Sequence, residues 1–196
     1  MSEVLILDLD YGNTRSVALA FERLGASVAL SADPAAVDRA DRVVLPGVGA
    51  AGAAMARLRQ SGLDDALRRR IRPTLGICLG MQLMFEESDE DGGTALLGIL
   101  PGSVAELRAA PGFPVPHMGW SALATEATDI GIDPGAYVYF AHSFACPDGP
   151  HVAARAAYGG TLISAAVRSG TWWGAQFHPE RSSAAGSRFL SAFLAA

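Results

Sequence analysis

The sequence has few charged residues, few cysteines and no long apolar run. Charged side chains make up 18% of its 196 residues and hydrophobic ones 50%, which is typical of a folded globular domain and not of a disordered chain. No apolar stretch reaches the roughly 18 residues that a membrane-spanning helix needs. No basic segment precedes the first apolar run, so we expect no signal peptide. Because nothing suggests secretion, we expect Cys78 and Cys146 to be reduced and the chain to be cytoplasmic.

Positive charge is also scarce. The formal net charge is -5, and the sequence has one basic run, Arg68-Arg69-Arg70. This run ends a predicted helix, where cations interact favourably with the helix dipole, so we interpret it as structural. We therefore expect no binding to nucleic acid. The length predicts one compact domain that spans residues 1–196.

Apolar runs alternate with helical patterns in the first half of the chain. Strands are predicted at residues 4–9, 27–30, 42–45 and 75–77, and the segments between them have helical spacing or helix caps. This order predicts an open, mostly parallel sheet with helices on both faces. In the second half, strands are predicted at residues 103–107, 137–140, 152–158, 162–167 and 172–177, before a last helix near 187–193. Few helices separate these strands, which indicates added antiparallel or mixed pairing.

The segment Gly76-Ile77-Cys78-Leu79-Gly80 has the pattern of a nucleophile elbow. It ends a predicted strand, and apolar residues at helical spacing follow it from Met81 onward. Such a sharp strand-to-helix turn exposes the nucleophile, and glycine on either side avoids clashes within the turn. The N-terminus of the following helix would favour the thiolate. A lone cysteine is more often a small core residue, but the two glycines favour a nucleophile at Cys78.

His178 and Glu180 follow the last predicted strand. Residues two apart in an extended segment point to the same side, so the imidazole and the carboxylate can meet. A nucleophilic cysteine needs a base, and the base needs an acceptor that orients its other nitrogen. Alone, the two residues would be an ordinary polar strand end. Together with Cys78 they predict a Cys, His, Glu set at the carboxyl edge of the sheet, where ligands bind in open α/β folds.

Attack on an acyl carbon produces an oxyanion that requires hydrogen-bond donors. The N–H of Leu79, next to the nucleophile, can supply one donor. The loop Pro46-Gly47-Val48-Gly49 ends a neighbouring predicted strand and can supply another, from Val48 or Gly49. The loop is a weak signal alone, because Pro-Gly turns are common.

Five motifs make the chain similar to the class I (triad) glutamine amidotransferases over nearly its whole length. The motifs are Leu-Pro-Gly-Val-Gly-Ala at residues 45–50, Gly-Ile-Cys-Leu-Gly-Met-Gln at 76–82, Pro-His-Met-Gly-Trp at 116–120, Tyr-Phe-Ala-His-Ser-Phe at 139–144 and Gln-Phe-His-Pro-Glu at 176–180. Pro-Gly-Val-Gly, His-Met-Gly-Trp and His-Ser-Phe resemble one branch of that family, the glutaminase subunits of imidazole glycerol phosphate synthases. The resemblance implies a flavodoxin-like sheet.

By this resemblance, Cys78 attacks the side-chain amide of glutamine, His178 carries the proton to the leaving ammonia, and Glu180 orients His178. Water then hydrolyses the thioester to glutamate. The resemblance implies no cofactor and no metal. It also implies four residues that hold the substrate, namely Gln82, Glu90, His142 and Ser143.

The resemblance further implies a partner, because the chain has no room for a second site that uses ammonia. That partner is a TIM-barrel cyclase subunit, which forms a heterodimer with the glutaminase and receives ammonia through an internal channel. Trp120 is a candidate for the interface, and an ordinary core or rim position for its ring is an equal alternative. Ser121 and Arg181 replace the Asn and Lys that are common in the family, and we expect both to face the partner or the channel. The segment at residues 10–14 is shorter than in the family.

Two alternatives stay open at this point. The chain could be the glutaminase of another amidotransferase, such as one of pyridoxal phosphate or anthranilate synthesis, although the motifs at residues 116–120 and 139–144 argue against this. It could also be a catalytically silent binding subunit of the same fold.

Overall fold

The computed structural model describes residues 2–9, 13–124 and 130–196. Three residues of the shortened segment at 10–14, namely Asp10, Tyr11 and Gly12, therefore lie outside the described residues. The described strands are β1 (Glu3–Leu7), β2 (Ser27–Ser31), β3 (Arg42–Gly47), β4 (Thr74–Cys78), β5 (Glu87–Ser88), β6 (Thr94–Ala95), β7 (Ser103–Glu106), β8 (His117–Ala124), β9 (Tyr137–His142), β10 (Phe144–Ala145), β11 (Val152–Tyr158), β12 (Thr161–Ser169) and β13 (Trp172–Ala175). The described α-helices are α1 (Thr14–Arg23), α2 (Pro34–Arg39), α3 (Ala51–Ser61), α4 (Leu63–Arg68), α5 (Leu79–Gln82) and α6 (Ser183–Ala195).

The main sheet has a parallel half and an antiparallel half. Its strand order is β2-β1-β3-β4-β13-β12-β11-β8-β9. The first five strands pair in parallel, and β13 lies beside β4 although it comes last in the chain. The remaining strands, β12, β11, β8 and β9, pair antiparallel. The order of the parallel half is that of flavodoxin-like sheets, so the predicted fold class is confirmed.

A smaller sheet with the order β10-β7-β5-β6 lies outside the main one. Of its strands, only β7 was predicted from the sequence. The other three have two residues each, which is too short for an alternating pattern to be recognised. β8 was also not predicted, because its sequence His-Met-Gly-Trp-Ser-Ala-Leu-Ala has a glycine and three alanine or serine residues that weaken the signal for a strand.

The apolar core has two layers, one on each face of the parallel half. Along β1, Val4 and Ile6 belong to one buried cluster, whereas Leu5 and Leu7 belong to the other. Successive side chains of a strand point to opposite faces, so this alternation shows that both faces are covered. Helices α1 and α6 cover the first face through residues such as Phe21 and Phe193, whose rings lie 6.2 Å apart. Helices α3 and α4 cover the second face. Among the described residues, no helix is long and apolar enough to cross a membrane.

The arginine run has the structural role that the sequence predicts. Arg70 follows α4, is almost completely buried, and donates hydrogen bonds to the carbonyl oxygens of Val37 at 2.5 Å and Ala40 at 2.8 Å. Burial lowers the pKa of Arg70 to about 10, which still leaves it charged at neutral pH. Its Nε–H also donates to the Thr74 hydroxyl at 2.8 Å, so Arg70 ties the end of α2 to the start of β4.

The predicted helix after the elbow is shorter than its apolar pattern indicates. α5 ends at Gln82, and the next three residues, Leu83, Met84 and Phe85, are buried in a turn. Their carbonyl oxygens accept hydrogen bonds from the N–H groups of Leu97, Gly98, Ile99 and Leu100 instead of continuing the helix. A helix of four residues has only a small dipole, so the predicted support of the thiolate by a helix N-terminus is correspondingly weak.

Candidate active site

Cys78 stands on a sharp turn between β4 and α5. Its backbone has φ 53° and ψ -109°, a strained conformation for a residue with a Cβ atom. A Cβ atom at Gly76 would lie 2.4 Å from the carbonyl oxygen of Gly80, and one at Gly80 would lie 1.8 Å from that of Leu45. Both glycines are therefore required by close backbone contacts, as the elbow pattern predicts. The turn directs the thiol toward the carboxyl edge of the parallel half.

Polar atoms surround the Cys78 sulfur. The Gln176 amide nitrogen lies 3.7 Å from Sγ, and the Ala141 carbonyl oxygen lies 3.8 Å from it. Cys78 is 6% exposed, and both cysteines are free thiols. Cys146 is buried in the core, where burial raises the pKa of its thiol well above the ordinary value. Two buried cysteines of one chain thus have different surroundings.

His178 and Glu180 are joined by a hydrogen bond of 2.9 Å between Nδ1 and Oε1. The contact does not form in the way we expected from an extended segment. β13 ends at Ala175, and Glu180 lies in a 3₁₀ helix, Pro179–Arg181. Pro179 occupies the first position of that turn, where its fixed φ suits a helix, so the turn brings the carboxylate back under the imidazole. The Glu180 side chain is fully buried.

The pKa of His178 is raised to about 10. Burial by itself would lower it, but hydrogen bonds and electrostatic attraction to Cys78 and to the Glu180 carboxylate outweigh burial. Because Nδ1 bonds to Glu180, Nε2 is the nitrogen that is left for Cys78. The arrangement favours an imidazolium at neutral pH.

The segment around His178 is fixed to β9 and to Asn13, the residue before α1. The His178 N–H donates to the Tyr139 carbonyl oxygen at 2.8 Å, and the Ser182 hydroxyl donates to the His178 carbonyl oxygen at 2.6 Å. The Asn13 side chain donates to Glu180 Oε1 at 3.4 Å rather than capping α1. These contacts hold the imidazole and the carboxylate in one position.

A cavity of about 260 Å³ opens in front of Cys78. Residues from five separate segments line it, and they include every residue predicted for the oxyanion site and for substrate binding. The lining residues are Val48, Gly49, Cys78, Leu79, Gln82, Glu90, Pro116, Met118, Ala141, His142, Ser143 and Phe144. His178 and Glu180 do not line the cavity but lie behind the thiol.

Two of the lining residues each use part of their polar groups within the protein. One carboxylate oxygen of Glu90 accepts a hydrogen bond of 2.6 Å from the N–H of Ala51, at the start of α3. Both amide hydrogens of Gln82 are used, because its nitrogen lies 2.8 Å from the Phe144 carbonyl oxygen and 3.0 Å from Gln176 Oε1. Among the described residues, no hydrogen bond uses the second carboxylate oxygen of Glu90 or the carbonyl oxygen of Gln82, so both can accept from a ligand.

The sequence and fold of the chain are similar to those of known proteins. The family model "Glutamine amidotransferase class-I" matches residues 5–196. The chain belongs to this family. It is 44% identical over 195 residues to imidazole glycerol phosphate synthase subunit HisH of Yersinia pseudotuberculosis, with 98% of each protein covered. It is 46% identical over 197 residues to the same subunit of Xanthomonas axonopodis pv. citri, with 99% of the chain and 98% of the relative covered. The resemblance to this branch is thereby confirmed.

Solved structures support the fold assignment. One, described as a glutamine amidotransferase, superposes with a TM-score of 0.78 at 22% identity and covers 98% of this chain and 97% of its own. A chain of the structure of PurLQS from Thermotoga maritima superposes with a TM-score of 0.73 at 20% identity, covering 99% and 98%. At these identities the likeness concerns the fold alone.

The three residues predicted for the partner interface of this amidotransferase lie on or beside β8 and β9. Trp120 is half exposed on β8, so its ring is not part of the core. Arg181 places its guanidinium 4.4 Å above the ring of Tyr139, which in turn lies 6.1 Å from Trp120. Ser121 is turned inward instead, and its hydroxyl lies 2.9 Å from His117 Nε2. An interface role for these residues stays a prediction.

Three polar residues that contact the site of this amidotransferase were not predicted from the sequence to take part in it. Gln176 contacts the thiol, His117 contacts His142 at 3.1 Å, and Asn13 contacts Glu180. Gln176 is the one polar residue in the run Trp-Trp-Gly-Ala-Gln-Phe, and it is completely buried. That signal could have been recognised, because a polar side chain in an apolar run needs a partner. No comparable signal marks Asn13.

Proposed function

We propose that the chain is the glutaminase subunit of an imidazole glycerol phosphate synthase. It hydrolyses glutamine to glutamate and delivers ammonia to a TIM-barrel cyclase subunit in histidine biosynthesis in the cytoplasm. The observation that carries this proposal is the cavity in front of Cys78, whose sulfur is hydrogen-bonded to His178. The loop residues Val48 and Gly49 also line the cavity, as do hydrogen-bond acceptors that suit an amino acid substrate. The full-length similarity to subunits of that name narrows the substrate and the partner.

In the first step, the Cys78 thiolate attacks the side-chain carboxamide carbon of glutamine. A bond forms between sulfur and carbon, and the carbonyl electrons move to oxygen. The bond to nitrogen then breaks, while the His178 imidazolium donates its proton to the leaving nitrogen. Ammonia departs and a thioester stays on Cys78. The contact of 2.9 Å to Glu180 keeps the imidazole in the orientation for this transfer.

The negative oxygen formed in this step lies between two segments that line the cavity. Leu79 is the first residue of α5, so its N–H has no acceptor within the helix. Val48 and Gly49 directly follow β3, which is the strand next to β4. In this proposal their N–H groups and that of Leu79 stabilise the oxyanion.

In the second step, water attacks the thioester. His178, neutral after the first step, takes a proton from the water, and the bond between sulfur and carbon breaks. Glutamate leaves, and the thiolate and imidazolium are restored. The step needs no cofactor.

Four residues would hold the glutamine substrate. The free carboxylate oxygen of Glu90 suits the α-ammonium group, and the carbonyl oxygen of Gln82 suits an N–H donor. Ser143 contributes its hydroxyl. Both ring nitrogens of His142 are already hydrogen-bonded, so His142 contributes the edge of its ring and shapes the cavity wall.

The partner would dock on the face that carries Trp120 and Arg181, and Ser121, whose hydroxyl contacts His117, lies beneath that face. The resemblance to the family implies an oxyanion loop that rearranges when the partner and the ligand bind, so we expect the isolated chain to be a poor glutaminase. Glutamine hydrolysis by the chain alone, compared with the reconstituted complex, measures this directly. Full activity without the partner would contradict the expectation.

The replacement Cys78→Ala tests the catalytic assignment. In a complex reconstituted with a cyclase subunit, it should abolish glutamine-dependent product formation and leave ammonia-dependent formation intact, because the synthase site is on the other chain. Cys146→Ala is the matched control, since it removes the other thiol, which does not line the cavity, and it should retain glutamine-dependent turnover.

Two outcomes would overturn the proposal in different ways. Unchanged glutamine-dependent turnover in Cys78→Ala would mean that the chain is a silent binding subunit. Glutamine hydrolysis that is stimulated by the synthase of another amidotransferase, and not by a cyclase, would assign the chain to a different pathway.

A further inference from the structure

A continuous line of hydrogen bonds runs from β8 to the sulfur of Cys78. We refer to it as the relay. On the side of β8, Ser121 Oγ lies 2.9 Å from His117 Nε2, and His117 Nδ1 lies 3.1 Å from His142 Nε2. In the middle, the Phe144 carbonyl oxygen lies 2.8 Å from His142 Nδ1 and 2.8 Å from Gln82 Nε2. On the side of the thiol, Gln82 Nε2 lies 3.0 Å from Gln176 Oε1, and Gln176 Nε2 lies 3.7 Å from Cys78 Sγ.

The Phe144 carbonyl determines the direction of the relay toward Cys78. A carbonyl oxygen only accepts, so the side-chain atom of Gln82 that faces it must be the amide nitrogen. The second hydrogen of that nitrogen points to Gln176, which must therefore present its oxygen. It follows that the amide N–H of Gln176 faces the sulfur. Rotating the Gln176 amide by a half turn would oppose two donors and lose both contacts.

The same carbonyl determines the direction toward β8. It accepts from Nδ1–H of His142, so His142 Nε2 is an acceptor while the ring is neutral. His117 then donates from Nδ1, and its Nε2 accepts from the Ser121 hydroxyl. Burial lowers the pKa of both histidines to about 4, which keeps both rings neutral at physiological pH. His117 is also fixed between two rings, with centroids 3.8 Å from Tyr158 and 4.6 Å from Phe140.

We propose that Gln176 is a positioning group for the nucleophile, held by the relay so that its amide N–H stabilises the thiolate of Cys78. The assignment of Cys78 as nucleophile rests on the proposed function, but the donation to sulfur does not. An N–H donor favours the charged form of the group that accepts from it. His142 donates to the same Phe144 carbonyl, so the position of the acceptor that orients Gln82 depends on residues of the antiparallel half, as far as Ser121 beside the exposed Trp120.

The short α5 makes such a donor necessary. A four-residue helix provides little dipole, and Cys78 is buried, so its thiolate loses hydration. At Cys146, burial is the largest cause of a thiol pKa well above the ordinary value. Gln176 lies beside the Cys78 sulfur, where its amide N–H can replace part of the lost hydration.

The test measures how fast iodoacetamide alkylates Cys78, with the modified peptide quantified by mass spectrometry. Gln176→Met keeps the length of the side chain and removes the donor. Because hydrogen bonds to charged groups are worth more than neutral ones, we expect alkylation at neutral pH to slow by about tenfold. The pH profile of the rate should also move to higher pH, which a merely structural role would not cause.

A second pair of variants tests the relay away from the thiol. His117→Phe preserves the ring stacking on Tyr158 and Phe140 but removes both hydrogen bonds, and it should slow alkylation by about threefold. His151→Phe is the matched control, because His151 is an equally buried histidine outside the relay, beside Phe85. We expect it to react at the wild-type rate. If Gln176→Met fails to fold, His117→Phe carries the test.

The outcomes separate this proposal from the proposed function. Wild-type alkylation rates and pH profiles in folded Gln176→Met, or equal rates in His117→Phe and His151→Phe, would overturn the relay. Glutamine-dependent turnover by the wild-type complex would still stand in that case. Conversely, slower alkylation in the variants of a chain that does not hydrolyse glutamine would leave the relay intact and reject the glutaminase.

Discussion

The two halves of the main sheet hold buried histidines in opposite states. In the parallel half, His178 follows β13 beside a thiol and a carboxylate, and its pKa is raised to about 10. In the antiparallel half, His117 and His142 lie on β8 and β9 without a nearby acidic group among their hydrogen-bond partners, and burial lowers their pKa to about 4. The same side chain is thus a charged group in one half and a neutral hydrogen-bonding group in the other.

This difference corresponds to separate roles of the two halves: the parallel half carries the catalytic groups, and the antiparallel half carries positioning contacts. The carboxyl ends of β3, β4 and β13 lie side by side and bring the oxyanion loop, the thiol and the imidazole together. The antiparallel strands supply the opposite cavity wall and the positioning contacts. Glutamine-dependent turnover should therefore depend strongly on residues of the parallel half and weakly on those of the antiparallel half.

The largest expected effect is that of His178→Asn. Loss of the proton carrier should reduce glutamine-dependent turnover of the complex by about a thousandfold, the range of general acid–base catalysis. His117→Phe, in the antiparallel half, should reduce it by less than about tenfold because a single supporting hydrogen bond is worth far less. Steady-state assays of both variants make the comparison. Equal losses would mean that the two halves do not differ in the way described.

Glu180→Gln should have the next largest effect. The substitution keeps the shape of the side chain but removes a negative charge that raises the pKa of His178, and turnover should fall by about a hundredfold. The pKa of His178, followed by NMR of the imidazole ring, should fall in the variant while those of His117 and His142 stay unchanged. A His178 resonance that titrates as in the wild type would show that Glu180 does not control the proton.

Gly80→Ala tests the packing beneath the elbow. The new Cβ atom would overlap the carbonyl oxygen of Leu45, so the free energy of unfolding should decrease by about 2 kcal/mol. Gly52→Ala is the control, because Gly52 lies within α3 and its added Cβ would be 3.6 Å from the nearest atom. It should be neutral or slightly stabilising. Chemical denaturation measures both, and equal stabilities would contradict the close contact.

The dependence of stability on pH should also differ between the halves. The pKa of His178 is raised on folding, so its contribution is complete below about pH 6.5 and is lost as the pH rises toward 10. The pKa of His117 is lowered, so its contribution is complete above about pH 6.5 and is lost as the pH falls toward 4. Each group changes the slope by at most about 1.4 kcal/mol per pH unit.

Denaturation at a series of pH values tests this assignment of slopes. His178→Asn should flatten the alkaline side of the stability curve, and His117→Phe should flatten the acidic side. The opposite pairing of variant and side would show that the protonation states are assigned wrongly.

The parallel half could largely be predicted from the sequence. Its strands are apolar runs separated by segments with helical spacing or helix caps, and one such cap is Asp33, whose carboxylate accepts from the Ala35 N–H at 2.9 Å. Gly76 and Gly80 of the elbow correctly predict positions where the backbone is too close for a Cβ atom. What could not be predicted there was the length of α5, because Leu83, Met84 and Phe85 are apolar in either a helix or a buried turn.

The antiparallel half could be predicted less well. β8 has a weak strand pattern, and its His117 acquires a role only when β9 places His142 opposite to it. The pairing between residues far apart in the chain determines that contact, and a single sequence does not contain it. The contact between His178 and Glu180 was expected, but the 3₁₀ helix through which it forms was not.

The proposed glutaminase activity depends on a thioester between Cys78 and the glutamyl group of glutamine. The most direct measurement is rapid acid quenching of the reconstituted complex during turnover, followed by mass spectrometry of its peptides. We predict a glutamyl adduct on the peptide that contains Cys78, absent from Cys78→Ala. Turnover of glutamine without such an adduct, or with the adduct on Cys146, would contradict the role of Cys78 as the nucleophile.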